Sequence, residues 1–92
     1  MSVTKIEACK RALSLTAERV LGLPLDFHRQ NDRQPFYRVS LITPTGIKVD
    51  VGYLSISEEG RVEPHTLPTG LGLVIEALPS QNLPEHLQQV VP

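Results

Sequence analysis

Two alternating apolar runs meet across Pro44-Thr45-Gly46, and their meeting limits the possible folds more than any other feature of the chain. Successive side chains of a strand point to opposite faces, so Tyr37, Val39 and Leu41 share one face while Arg38 and Ser40 take the other. Ile47, Val49, Val51 and Tyr53 repeat the pattern, with Lys48 and Asp50 opposite. A three-residue loop with Gly46 left-handed joins the runs as an antiparallel hairpin in which Leu41 faces Val49, Val39 faces Val51 and Tyr37 faces Tyr53. A slip of one residue would set Val39 and Leu41 against the polar face of the next strand, so turn and pattern select one register. Ser57-Glu58-Glu59-Gly60-Arg61 offers a second loop of the same kind, with Gly60 left-handed, leading into a short strand at Arg61 to Glu63 that Pro64 ends.

A helix is expected ahead of this meander. Thr4-Lys5-Ile6-Glu7 reads as a capping box: the Thr4 hydroxyl accepts an orphan backbone N–H, and Glu7 reaches back to the N-cap amide. Ile6, Cys9, Leu13, Ala17 and Val20 fall on one stripe at 100° per residue. Gly22 and Pro24 supply the stop, which places the helix at about residues 5–21. Leu15 points away from the stripe and is read as exposed. Leu25 to Gln30 makes a short strand with Leu25, Phe27 and Arg29 on one face, and residues 31–35 make a turn.

After Pro64 the pattern weakens. Leu71, Val74, Ile75 and Leu78 fit a helical stripe, whereas Leu71, Leu73 and Ile75 fit a strand; the reading leans to a helix. From Ser80 the chain reads as a tail with Pro84 suited to the first turn of a small helix through Val90, and its last ten residues are expected to fray. The fold class that follows is α+β: an N-terminal helix packed on a three- to four-stranded antiparallel sheet, in one domain over residues 1–79, with a tail at 80–92. Val39, Leu41, Val49 and Val51 are expected to face the helix. Phe36, Ile42, Leu54 and Ile56 then lie on the opposite face, which the segment from Leu71 to Leu78 or another copy of the chain must hide. The segment is preferred, because Val74 and Ile75 need a core as well.

The helix, the short strand, Tyr37-Arg38-Val39-Ser40-Leu41, Gly46, the alternating strand and Glu59-Gly60-Arg61-Val62 together resemble a PepSY-type domain over about residues 4–63. That family is similar in the order of its elements, with tyrosine-x-valine in a strand, a hairpin glycine and a closing acidic-glycine-charged-valine string. Gly52-Tyr53-Leu54 departs from a plain alternating strand. The resemblance implies a small binding or inhibitory module acting on another protein, and it brings no catalytic residue with it.

Ninety-two residues suffice for one core without a metal or disulfide. Nine Lys and Arg against ten Asp and Glu give no basic field to gather nucleic acid. Charged Lys5, Glu7, Lys10 and Arg11 interrupt any leader-like apolar run, no stretch is long enough to span a bilayer, and the single Cys9 fits a reducing compartment. A soluble cytoplasmic protein with no membrane or nucleic-acid partner is expected.

No catalytic, metal or cofactor set assembles from the sequence. His28, His65 and His86 lack metal-site spacing. Cys9 has no histidine near it in sequence, and Glu58 and Glu59 are solvated turn residues. Thr66-Leu67-Pro68-Thr69-Gly70-Leu71-Gly72 lacks the lysine of a phosphate loop. The constellation with interface-like composition is Arg29, Arg33, Phe36 and Arg38, with Tyr37 interleaved, since arginine and aromatic residues concentrate at interface centres. The expected function is a non-enzymatic protein-binding or assembly module, self-association included. A small-ligand-binding regulatory subunit with a pocket between helix and sheet is the alternative.

Overall fold

A computed structural model describes residues 4–66, 69–79 and 82–83 of the chain. Its first element, α1 (Lys5–Leu21), starts where the Thr4 Oγ1 accepts the Glu7 N–H at 3.1 Å. The Glu7 carboxylate turns to Lys10 Nζ, 3.0 Å away. The helix ends at Gly22, whose left-handed backbone N–H returns to the Ala17 and Glu18 carbonyls. Strands β1 (Leu25–Arg29), β2 (Phe36–Ile42), β3 (Lys48–Ile56) and β4 (Val62–Thr66) follow, then α2 (Thr69–Glu76). The four strands pair antiparallel in chain order, and the architecture is α+β as the sequence leads one to expect.

Beside the first hairpin turn the register is the expected one, with Leu41 opposite Val49 and Ser40 opposite Asp50. It then shifts. Val39 pairs with Gly52 rather than Val51, and Tyr37 pairs with Leu54 rather than Tyr53. Val51 is the extra residue of a β-bulge, and Gly52 follows it at φ 137°, a conformation L side chains rarely adopt. From there on every side chain of β3 stands on the face opposite to the one simple alternation assigns it.

The core follows from that flip. Leu54 and Ile56, expected on the outer face, are at 0% and 1% exposure beneath the helices, with Val39, Tyr37 and Val51. Val49, expected beneath α1, is 49% exposed, because this end of the hairpin runs out past the buried cluster. From α1 come Cys9, Leu13 and Ala17; Val20 at the helix end is exposed, as is Leu15. The α2 helix settles the ambiguous segment as helical and packs against α1 and β3, so Leu71, Val74, Ile75 and Leu78 fill the same core rather than covering the other side of the sheet. Leu83 joins them, while the proposed terminal helix through Val90 lies outside the described residues.

Pro64 does not end β4, which runs on to Thr66. Ser57 N–H donates to Arg61 O, so odd-numbered residues at the start of β4 bond to β3 and Pro64 has its nitrogen on the free edge, where no ladder donor is lost. Gly60 (φ 81°) closes the β3–β4 turn against the first residue of α1, where a Cβ would come within 2.9 Å of the Lys5 carbonyl oxygen.

The flipped register has a measurable consequence. Leu54→Ala should cost about 2–5 kcal/mol through lost burial and a residual cavity, whereas Val49→Ala should cost less than about 1 kcal/mol. Denaturant melts of the two variants decide it; equal losses would contradict the bulge.

Candidate functional site

Both helices lie on one side of the sheet, and among the described residues neither covers the other side. The bulge decides what that open face presents. Once β3 has flipped at Gly52, Tyr53 stands beside Phe36, the two rings stacked with centroids 5.7 Å apart and planes 13° from parallel. Arg38, opposite Tyr53 in the ladder, lies between this pair and a polar row made by Asp26, Ser40 and Asp50. Ser40 Oγ donates to Asp50 Oδ1 at 2.8 Å, and Lys48 Nζ meets Asp26 Oδ2 at 3.0 Å. Arg38 Nε is 3.9 Å from Asp50 Oδ1, too far for a hydrogen bond, and Nε itself is closed off from solvent without one. The side chain as a whole keeps 41% of its surface exposed, so the guanidinium has donors to offer to an incoming group.

The four residues singled out from composition do not form one patch. Phe36 and Arg38 share the open face. Arg29 has the opposite parity, and its guanidinium is spent on the β1–β2 loop, with Nε donating to the Asn31 carbonyl at 2.8 Å and Nη2 to that of Asp32 at 3.3 Å. Arg33 sits in the same exposed loop, its backbone N–H donating to Asn31 Oδ1 at 2.8 Å. Two of the four therefore belong to loop architecture and its surroundings. Tyr53 replaces them, and sequence alternation missed it because the plain reading put it inside. The signal was present: odd-numbered apolar residues up to Val51 give way to even-numbered Leu54 and Ile56 with a glycine at the change.

Cys9 is a core residue. It is fully buried, and burial pushes its thiol up from 9.0 to about 11, against a smaller opposing contribution from the Asn82 side chain. A nucleophilic cysteine needs the reverse shift. His28 is exposed on β1, and its Nδ1 receives the Gln30 amide at 2.8 Å. The side chain of His65 and the whole of His86 lie outside what is described. Among the described residues no group of three or more His, Cys, Asp or Glu could hold a metal ion, and no helix is long and apolar enough to cross a membrane. Among the described residues there are surface depressions of about 320 Å³ between α1 and β1, at the edge of the sheet, and of about 310 Å³ beside Lys5, Glu59 and Asn82.

Comparison with protein-family models, with curated proteins and with solved structures finds no match.

The thiol sets a pH dependence. A proton held more tightly in the folded than in the unfolded chain stabilises the fold fully below the unfolded value near 9, and that contribution is lost as pH rises toward about 11. Native stability should therefore fall more steeply between pH 9 and 11 in the natural chain than in a Cys9→Ala variant. Chemical melts of both across that range test it, and parallel slopes would show that Cys9 titrates alike in both states.

Proposed function

We propose that this chain is a small non-enzymatic module that binds a protein partner through the open face of its sheet. One observation carries the reading: a stacked aromatic pair lies beside a half-exposed arginine, on a face that no described helix covers. Aromatic and arginine side chains bring large contact area and fixed donors at low entropic cost, which is why they dominate binding energy where they meet a partner. The partner this face fits is a protein surface offering a flat apolar group to Phe36 and Tyr53 and a carboxylate to Arg38. A carboxylate there would also draw the guanidinium away from its long approach to Asp50, and the rim of Asp26, Lys48 and Asp50 would set orientation. The PepSY-like order of elements over residues 4–63 is in keeping with a module that acts on another protein. A reducing, cytoplasmic setting belongs to the same reading, with the free buried Cys9 in support.

Arg38→Glu combined with Tyr53→Ser should reduce capture of the native partner at least about tenfold, while the melting curve moves little, since both residues are partly exposed and exposed ion pairs contribute little to folding. Arg33→Glu, in the loop, serves as the comparison and should leave capture unchanged. Equal capture by the double variant and the natural chain would remove the open face as the site.

A further inference from the structure

Among the described residues the sheet has two edges without a further strand, and they are not alike. On β4 the start of the strand turns its odd-numbered backbone groups to β3, so Pro64 falls on the outer side and deprives that edge of a donor, and a bulge follows in the same pairing. On β1 nothing of the kind is present. Ile42 N–H donates to Pro24 O at 3.0 Å and Gln30 N–H to Phe36 O at 2.9 Å, so the even-numbered residues of β1 bond to β2. By the alternation of an antiparallel ladder, Leu25, Phe27 and Arg29 direct their N–H and C=O groups away from the sheet. The Leu25 N–H is taken by Ser14 Oγ at 3.1 Å, which confirms the direction and caps one end of the edge. Phe27 and Arg29 have no such cap from α1.

We propose that the chain self-associates by pairing β1 antiparallel with β1 of a second copy, about a two-fold axis at Phe27. The strand is self-complementary in this register and in no neighbouring one. Phe27 faces Phe27 of the second copy and exchanges both backbone hydrogen bonds with it on the axis. At each end an Arg29 N–H reaches the second copy's Leu25 carbonyl, and neither Ser14 bond has to break. On the open face Asp26 then stands opposite the second copy's His28, twice over. The groups are ready for that meeting: the Gln30 amide lies 2.8 Å from His28 Nδ1, which leaves Nε2 for the second copy, and Lys48 Nζ meets Asp26 through Oδ2. On the helix side, the groove of about 320 Å³ between α1 and β1 lies along the seam. Its walls include Arg11 and the Glu7–Lys10 pair, which is already closed within the chain at 3.0 Å. A shift of two residues either way would lose the axial Phe27 pair and set Asp26 or His28 against its own kind.

The pairing joins two open faces into one continuous eight-stranded surface. It goes beyond the partner-binding reading above; the two share only Asp26, at the rim of the open face, and the pairing rests on the backbone edge of β1 rather than on Phe36, Arg38 and Tyr53, so either can fail alone.

The register makes the test specific. Asp26 and the second copy's His28 form a pair without mutual backbone bonds, with Cα atoms about 4.5 Å apart, close enough for a disulfide. Residue 26 against 26, or 28 against 28, lies on a diagonal longer than about 7 Å and is out of reach. An equimolar mixture of an Asp26→Cys chain and a His28→Cys chain, mildly oxidised, should give a covalent dimer, while each chain alone should not; the natural Cys9 is buried and takes no part. Sedimentation of the natural chain should show concentration-dependent mass between one and two copies, and His28→Asp, which sets carboxylates against each other at both pairs, should weaken association about tenfold without changing the melting curve. A natural chain that stays single at about 1 mM overturns the proposal. So does cross-linking of either variant alone at the rate of the mixture, or a mixture that does not cross-link.

Discussion

The bulge at Val51 and Gly52 is the constraint on which the rest of this structure depends. Before it, β3 has its odd-numbered apolar residues on the helix side; after it, the even-numbered Leu54 and Ile56 take that side and become two of the largest fully buried side chains. Without the extra residue, Leu54 and Ile56 would face solvent and Tyr53 would point inward, and the helices would lose much of what they pack on. The end of the hairpin around Ile47 and Val49 lies past the buried cluster, and both are exposed. Only the glycine lets the backbone pass through φ 137° at the bulge.

The same residue links core to surface. Because Tyr53 is turned outward, the open face acquires an aromatic pair instead of one isolated ring, and Arg38 gains an aromatic neighbour opposite it in the ladder. A fold stabilised by one face of its sheet thus leaves the other chemically specified rather than merely polar. The two edges differ in the same way. Proline and a bulge blunt β4, whereas past Ser14 no described residue covers the edge of β1, and an edge of that kind is a template for another strand.

Much of the fold was legible in local chemistry. Thr4 and Gly22 bound the first helix because caps are satisfied by neighbours within a few residues. Gly46 fixed the register at Leu41 and Val49 because a tight loop admits few pairings. Period-two reading failed at Gly52, where one strand changes face midway; the change of parity from Val51 to Leu54 was in the sequence, but only the pairing of β2 with both halves of β3 gives it meaning. The candidate site suffered for the same reason. Phe36 and Arg38 were found by composition and stand together, while Arg29 and Arg33, close in sequence, belong to the loop, and Tyr53, distant in sequence, belongs to the face.

What the sequence by itself determined is therefore what short-range interactions control: the helix and its ends, the turns, the presence of an antiparallel meander and the burial of Cys9, Leu13 and Ala17. Which face each half of β3 presents, and where the segment from Leu71 to Leu78 packs, was decided by the tertiary structure. Both depend on contacts between residues far apart in the chain, where a buried side chain gains its free energy from whatever packs over it, and no local pattern records which side of the sheet that will be.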